Sequence, residues 1–597
     1  MKKTNYKNTI ISKKLRLKLS ALFLTFIFIL LIIRLFYLMI LQHSYLSQKA
    51  TDQCTNEINI KARRGNILDR NDLKLAVSAN VYRVDLDLKT LREDSLKKKI
   101  SLESIAENLS KILNYSKEDV MKKINFTYSN GKLANSITLV RRIEKEVAIK
   151  IKNLNQRSII VSEDTKRYYI NNNLLSHTLG VTDVDGDGLS GIELKYNKEL
   201  SGIPGIRIKN VDRENKDLPY KSSTFSPSIN GKDINLTIDE RFQTIADNAA
   251  SKALIDNKAK SATILIMEPK SGEILALANK PDFNPNCPYE GYEKFQGKDK
   301  FNKIQNMWKN NAVNSSFEPG SIFKVITSAA AIEEGISGNN ETYYCPGYKK
   351  YKGACSPVKC WKADGHGTET FAQTLEKSCN VAFMDIATKL GKDTLDGYIR
   401  KFGFGKLTNI DLPGETLGIL KNIKDMSDMD LGTISFGQTN TLNAIQYMAA
   451  FNAIANDGVW IQPHIMKEIS YIDENNKKII DTPFKPSTHN VISPNTSKKL
   501  REYLEKVVSE GSAKSTFIPN FHIGGKTGTG EKVCNGRYKD GKYVSTFAGM
   551  APCNSPKITI LVIINEPSAG EHFGGIIATP IAKDIFLNLS NYINFNN

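Results

Sequence analysis

Three short patterns, far apart in the chain, carry groups that can make and break an acyl bond. Ser321 precedes Lys324 by three residues, Ser378 and Asn380 flank Cys379, and Lys526-Thr527-Gly528 lies within Gly524-Gly-Lys-Thr-Gly-Thr-Gly530. Residues i and i+3 of a helix share a face, about 5–6 Å apart at Cβ, so a Lys324 amine reaches a Ser321 hydroxyl. Burial among Ile322, Phe323 and Val325 would depress the amine's pKa, and a neutral amine there is a general base for the serine. The chemistry this implies is nucleophilic acyl transfer.

Each pattern alone is weak, because serine three residues before lysine also occurs at Ser95, Ser129 and Ser356, and Ser-x-Asn recurs at Ser78, Ser228, Ser337 and Ser493. Context separates them. Ser95 lies in a charged run, Ser129 in an Asn-Gly turn, and Ser356 before a proline, whereas Lys-Thr-Gly occurs once. In the functional reading Ser378 passes a proton between Ser321 or Lys324 and the leaving group, and the Asn380 amide holds the acyl part of the substrate. Lys526, Thr527 and Thr529 would bind a terminal carboxylate, Gly528 would let a substrate backbone approach, and the Ser321 and Thr529 N–H groups would form an oxyanion hole.

These groups need elements to hold them. Glu318-Pro-Gly320 reads as a turn before a helix of about four turns that Gly335 stops, placing Ser321 in its first turn at the positive end of the helix dipole. Ser378 and Asn380 open a helix ahead of the apolar Val381-Ala-Phe-Met384, and Lys526 sits on an edge strand. Two hairpins are expected, 263–268 with 273–278 and 544–550 with 558–564, in an antiparallel sheet. Helices should follow Asp239, begin near Thr439 and run from Asn495, with Leu442, Ile445, Leu500 and Leu504 facing the core, and a charged helix is expected near Leu102 to Leu113.

In these residues the chain resembles the class B penicillin-binding proteins of the division or sporulation type. Arg63-Arg64-Gly65-Asn66-Ile67-Leu68-Asp69-Arg70, Gly188-Leu-Ser-Gly191-Ile-Glu193, Glu268-Pro-Lys-Ser-Gly272, Gly437-Gln438 and Tyr543-Val-Ser-Thr-Phe-Ala-Gly549 extend the resemblance from about residue 55 to the C-terminus. Cys379 departs from it, standing where such sites often have aspartate. The resemblance implies an α+β architecture: a membrane anchor, an irregular pedestal domain, and a transpeptidase domain with a five-stranded antiparallel sheet flanked by helices. It further implies cross-linking of peptidoglycan stem peptides ending in D-Ala-D-Ala through a Ser321 acyl-enzyme, inhibition by β-lactams, and no glycosyltransferase domain. The implied partner is a membrane-embedded glycan polymerase of the shape, elongation, division and sporulation family. A hydrolytic carboxypeptidase or β-lactamase, and a membrane-bound β-lactam sensor, are the rival readings.

Composition fits. A chain of 597 residues has room for several domains. Its formal charge of +19 comes without a nucleic-acid motif, so no nucleic-acid partner is expected and the basic surface faces anionic lipid and wall polymers. Leu19 to Leu41 is apolar except for Arg34 and long enough to span a bilayer. The basic residues from Lys2 to Lys18 put the N-terminus in the cytoplasm and the rest outside. The expected divisions are a tail over 1–18, a membrane helix over 19–41, a pedestal and dimerisation domain over 42–232, and the transpeptidase domain over 233–597. A polar linker, Asn215 to Lys232, should join the last two.

Cysteines raise a separate question. Cys355, Cys360, Asp364 and His366 offer two thiolates, a carboxylate and an imidazole just before Ser378, a donor set for tetrahedral zinc. Cys345 or Cys534 would serve as a substitute ligand. A Cys345–Cys360 disulfide and buried thiols are the other readings, and the acyl chemistry requires no cofactor.

Overall fold

The computed structural model describes residues 3–98, 101–210, 224–291, 299–336, 341–352, 356–534 and 537–595. The chain folds into two compact units, residues 1–62 with 203–230, and residues 63–202 with 231–597.

In the first unit a helix runs over Lys3–Phe36, continues as a five-residue π-helical turn over Tyr37–Leu41, and is followed by a helix over His43–Cys54. The helical run from Lys13 to Leu41 contains an 18-residue window with a mean hydropathy of 2.7 and is long and apolar enough to cross a membrane. The strand Thr55–Ile60 pairs antiparallel with Gly205–Asn210, which pairs in turn with Thr224–Ser226. The expected linker is therefore partly strand: Thr224–Ser226 and the bridge between Ile203 and Ile229 order its described part, and 215–223 lies outside the described residues.

The larger unit is built on two sheets. The catalytic sheet takes its strands from both ends of the unit: β1 (Ser261–Met267), β2 (Ile274–Lys280), β3 (Gly524–Cys534), β4 (Arg537–Ala551) and β5 (Ile558–Asn565). They lie antiparallel in the order β2-β1-β5-β4-β3, so β3 is an edge. Both expected hairpins form. Every residue of β2, and all but the last of β5, is buried, and the apolar runs 274–278 and 560–564 within them are the pattern of strands covered on both faces. The cover comes from α1 (Glu240–Asp256), α4 (Ala444–Ala455), α5 (Pro494–Ser509) and α6 (Gly574–Leu589), while α2 (Lys324–Glu333) packs on α4 and α5, and α3 (Asn380–Leu390) packs on α2. Helix α4 is buried at every position and carries no charged residue, which makes it the central helix of the core. Side-chain caps start the helices, Asp239 on α1 and Ser493 on α5 where the sequence suggests, and Asn443 in a capping box on α4, four residues beyond the expected Thr439, so that Leu442 precedes the helix.

The second sheet crosses the expected domain boundary. Asp233–Leu236 pairs parallel with Ile67–Leu68 on one side and antiparallel with Met466–Ile472 on the other. Beyond Ile67–Leu68 the sheet continues into Lys74–Asp87, which pairs with both Ser136–Ile143 and Ile159–Tyr169. The helix Leu102–Leu113 has the bounds expected for it and closes a small separate core with Val84, Leu86, Val120 and Leu139. Near Gly65, a fully buried Glu193 carboxylate accepts from Arg64 Nε at 2.7 Å and Arg167 Nε at 2.6 Å. Gly65 packs so tightly that a Cβ there would lie 1.9 Å from the Lys232 carbonyl oxygen.

Candidate active site

Ser321 lies in the 3-10 turn Gly320–Phe323, which leads directly into α2. Gly320 has φ +56°, and a Cβ on it would sit 2.8 Å from the Thr529 carbonyl oxygen, so only glycine lets the turn lie against β3. The turn is anchored behind by the buried Tyr447 hydroxyl, which donates to the Ile322 carbonyl at 2.9 Å, and by the Gly320 N–H, which donates to the Gly437 carbonyl at 2.9 Å. Ser321 itself is partly exposed.

Lys324, one helical turn on, is completely buried. Its ammonium donates to the Ser378 carbonyl at 2.8 Å, the Ser378 hydroxyl at 3.1 Å and the Asn380 side-chain carbonyl at 2.7 Å. Burial pushes its pKa down to about 8, against weaker opposition from the neighbouring thiols and Glu369. The first two motifs thus meet through one nitrogen. Because the Asn380 carbonyl end is turned to Lys324, its NH2 end is left for another acceptor.

Ser378 has φ +55°, a left-handed conformation that a residue with a side chain adopts only when its surroundings impose it. Cys379 is the N-cap of α3, its sulfur accepting from the Ala382 N–H at 3.4 Å. Trp361, with its ring largely exposed, donates its indole N–H to the Lys377 and Ser378 carbonyls at 3.2 and 3.1 Å. The grip of Trp361 on Ser378 is visible only in three dimensions.

The third motif lies on the edge strand, as expected. Lys526 is fully buried, its Nζ 3.1 Å from the Thr527 carbonyl, and burial followed by the charge of Lys324 lowers its pKa. The Lys324 and Lys526 ammonium groups therefore share one electropositive region. The Thr529 hydroxyl accepts from Gly574 N–H at the start of α6, at 3.1 Å, and the Thr527 hydroxyl lies 3.4 Å from that of Ser512. Gly528 has a structural reason of its own. A Cβ there would lie 2.8 Å from the Pro319 carbonyl and 2.4 Å from the Thr546 hydroxyl, so it is the Ser321 turn that requires close approach.

Glu318 is a group the sequence left unassigned. Burial raises its carboxyl to about 7; Oε1 accepts from Thr439 N–H at 3.1 Å, and Oε2 is buried without a partner.

Behind Ser378 the cysteines converge, though not as the sequence suggested. Donor atoms of Cys345, Cys360, His366 and Cys379 all lie within 4.8 Å of one another. Cys360 and His366 belong to the expected set; Asp364 is exposed on its turn and outside the cluster, and Cys355 lies outside the described residues. Cys345, the substitute the sequence offered, and Cys379, which it did not offer, complete the cluster among the described residues. Pairing of Thr342–Cys345 with Gly367–Thr370 aligns Cys345 with Gly367 and so brings His366 alongside. All three cysteines are free thiols; the hydrogen bond from Cys379 draws Cys360 down to about 4 and pushes Cys379 up, as two thiols sharing a proton must.

Residues 262–587 match the family model described as the penicillin binding protein transpeptidase domain, and residues 59–236 the one described as the penicillin-binding protein dimerisation domain. The chain is 33% identical over 571 residues to stage V sporulation protein D of Bacillus subtilis, covering 96% of this chain and 84% of that protein. It is 29% identical over 524 residues to the peptidoglycan D,D-transpeptidase FtsI of Escherichia coli K12, covering 87% and 82% respectively. Among solved structures, a peptidoglycan synthetase of Bifidobacterium adolescentis shares the fold with a TM-score of 0.68 at 24% identity, over 90% of this chain and 96% of that one. Penicillin-binding protein 3 of Mycobacterium tuberculosis does so with a TM-score of 0.64 at 23% identity, over 89% and 97%.

Proposed function

This chain belongs to the class B penicillin-binding proteins, and on that premise we propose that Ser321 is the nucleophile of a peptidoglycan D,D-transpeptidase served by Lys324, Ser378, Asn380 and Lys526. A stem peptide ending in D-Ala-D-Ala lies along the open edge of β3, its carboxylate held by Lys526, Thr527 and Thr529. Neutral Lys324 takes the Ser321 proton as the hydroxyl attacks the penultimate carbonyl, and the Ser321 and Thr529 N–H groups stabilise the developing oxyanion. Ser378 relays the proton to the leaving D-Ala, and Asn380 holds the acyl amide with its NH2 end. An amine of a second stem then displaces Ser321 and closes the cross-link; β-lactams acylate the same oxygen.

The observation that carries this reading is the buried Lys324 amine, bonded at once to Ser378 and Asn380 one helical turn from Ser321. Its test is labelling with a fluorescent penicillin together with product analysis on peptidoglycan. The wild type should label and form dimeric muropeptides, and Ser321→Ala should do neither. Labelling that survives in Ser321→Ala, or D-Ala release without dimers from the wild type, would refute it.

The division of labour proposed is a cytoplasmic tail over 1–18, a single membrane pass over 19–41, a pedestal over 42–232, and catalysis over 233–597 outside the cell. One helix apolar enough to span a bilayer, near a basic N-terminus, supports that orientation. The proposed partner is a membrane-embedded glycan polymerase, which would supply the strands this enzyme joins. The chemistry needs no cofactor. Three thiols and an imidazole in mutual reach support structural zinc at Cys345, Cys360, His366 and Cys379.

A further inference from the structure

The segment that leads into Ser321 is tied to a second segment, residues 437–442, at three points. Phe317 and Leu442 exchange both backbone hydrogen bonds, at 2.9 and 3.0 Å, and the Gly320 N–H donates to the Gly437 carbonyl. Between these backbone ties lies the third, in which Glu318 Oε1 accepts from the Thr439 N–H at 3.1 Å. It is the one tie of the three that a side chain makes, and that side chain is a carboxylate, on a residue only 6% exposed. Thr439 has φ +74°, a left-handed conformation that a β-branched residue adopts only when its surroundings impose it.

The surroundings of Glu318 let its charge change without breaking that tie. Burial, with a smaller push from the exposed Glu531 carboxylate on β3, raises the carboxyl to about 7 against the hydrogen bonds from Thr439 and Tyr538. The Tyr538 hydroxyl, on β4, donates to Oε1 at 3.4 Å. Oε2 has no hydrogen-bond partner among the described residues, and Glu318 lines a cavity of about 220 Å³. At about 30 Å³ each, several waters fit there. The other charged groups on the cavity are Glu531 and Lys532, and Lys532 is engaged by Glu566. A proton can therefore reach Oε2 while Oε1 keeps the Thr439 N–H. What changes is the strength of the tie, because a hydrogen bond to an ionised carboxylate is roughly twice as strong as one to a neutral acceptor.

We propose that Glu318 is a positioning residue for acyl transfer, its ionised carboxylate holding the Thr439 turn so that the Gly437 carbonyl fixes Gly320 and, next to it, the Ser321 N–H of the oxyanion hole. The proposal rests on the transpeptidase reading given above and adds a residue to it. Glu318 acts through the backbone and not on the reacting atoms. When the tie weakens, Thr439 relaxes from its left-handed conformation, the Gly437 carbonyl two residues earlier turns, and the Ser321 N–H loses its aim. The carboxylate-binding groups of β3 are not part of this tie. The chemical step is therefore slowed and the initial binding of substrate is not.

The test follows acylation of the full chain in detergent by a fluorescent penicillin across pH, separating the acylation rate constant from the affinity of the initial complex. In the wild type Glu318 must be ionised and Lys324 neutral, so the logarithm of the rate constant should climb more steeply than slope one near 7 and level off above about 8. Glu318→Gln keeps an acceptor for the Thr439 N–H and discards the charge. Its climb should have slope one throughout, its plateau should lie about tenfold below the wild type, and its initial affinity should be unchanged. A variant that keeps the steep limb, a plateau within about twofold of the wild type, or a loss confined to the initial affinity overturns the proposal. A carboxylate with a structural role alone would lower the melting temperature and leave the profile as it was, which overturns it equally. If Glu318→Gln does not fold, the wild-type profile decides: a limb of slope one through 7 overturns the proposal. Labelling that survives in Ser321→Ala removes the transpeptidase reading itself, whereas a wild type acylated at Ser321 without the inflection near 7 removes the Glu318 role alone.

Discussion

At the residue scale, Lys324 concentrates the chemistry. Its ordinary value of 10.5 is lowered to about 8 because burial penalises the ammonium more than the nearby thiols and Glu369 favour it. In the proposed mechanism the base is the neutral amine, so the acylation rate should rise with pH through about 8 and then level off, measured with a fluorescent penicillin under conditions where the fold is intact. Lys324→Met should lower that rate by about 10²–10⁴-fold, the usual contribution of a positioned base, with little change in melting temperature. Stability has its own sign. Between about 8 and 10.5 the unfolded chain holds a proton that the folded amine has given up, so this group makes stability rise with pH across that window. Spacing in the sequence placed Lys324 on the face of Ser321 and its apolar neighbours foretold its burial. The bonds to Ser378 and Asn380 span more than fifty residues, and no local spacing encodes them.

At the element scale, the site is a contact between a turn and an edge strand. Gly320 and Gly528 face each other's segments, and each is glycine because the opposing backbone is too near for a Cβ. Gly528→Ala would drive a methyl to 2.8 Å from the Pro319 carbonyl, which cannot rotate away. A cost of about 1–3 kcal/mol is expected, read as a lower melting temperature, with acylation slowed further than stability alone explains because the Ser321 turn must move. The hairpins, the capped helices and the helix over Leu102–Leu113 were legible because alternation, caps and 3.6-residue periodicity are local signals. The strand Asp233–Leu236 was less so. Four residues beside a polar stretch read as the start of a domain, whereas partners at Ile67 and Met466 make it the middle of a sheet.

At the scale of the whole molecule, two arginines and one glutamate tie the segment near Gly65 to the rest of the larger unit. Glu193→Gln would leave the buried Arg64 and Arg167 guanidinium groups without their counter-charge. Removing one partner from such a pair costs about 3–5 kcal/mol, so a clear fall in melting temperature is expected. With Ser321 and Lys324 untouched, the acylation rate of the fraction still folded should be close to that of the wild type; a proportionate loss of both would show that the network also shapes the site. The sequence by itself singled out Ser321 with Lys324, the strand of Lys526 and an apolar run long enough to span a bilayer, because each depends on residue chemistry within one helical turn, one strand or one apolar run. Tertiary structure alone decided that Cys379 joins Cys360, His366 and the substitute Cys345 while Asp364 stays in solvent, and that one sheet crosses the expected boundary. Such outcomes depend on strand register and loop closure between segments distant in the chain, where side-chain identity sets what is possible and packing selects what is realised.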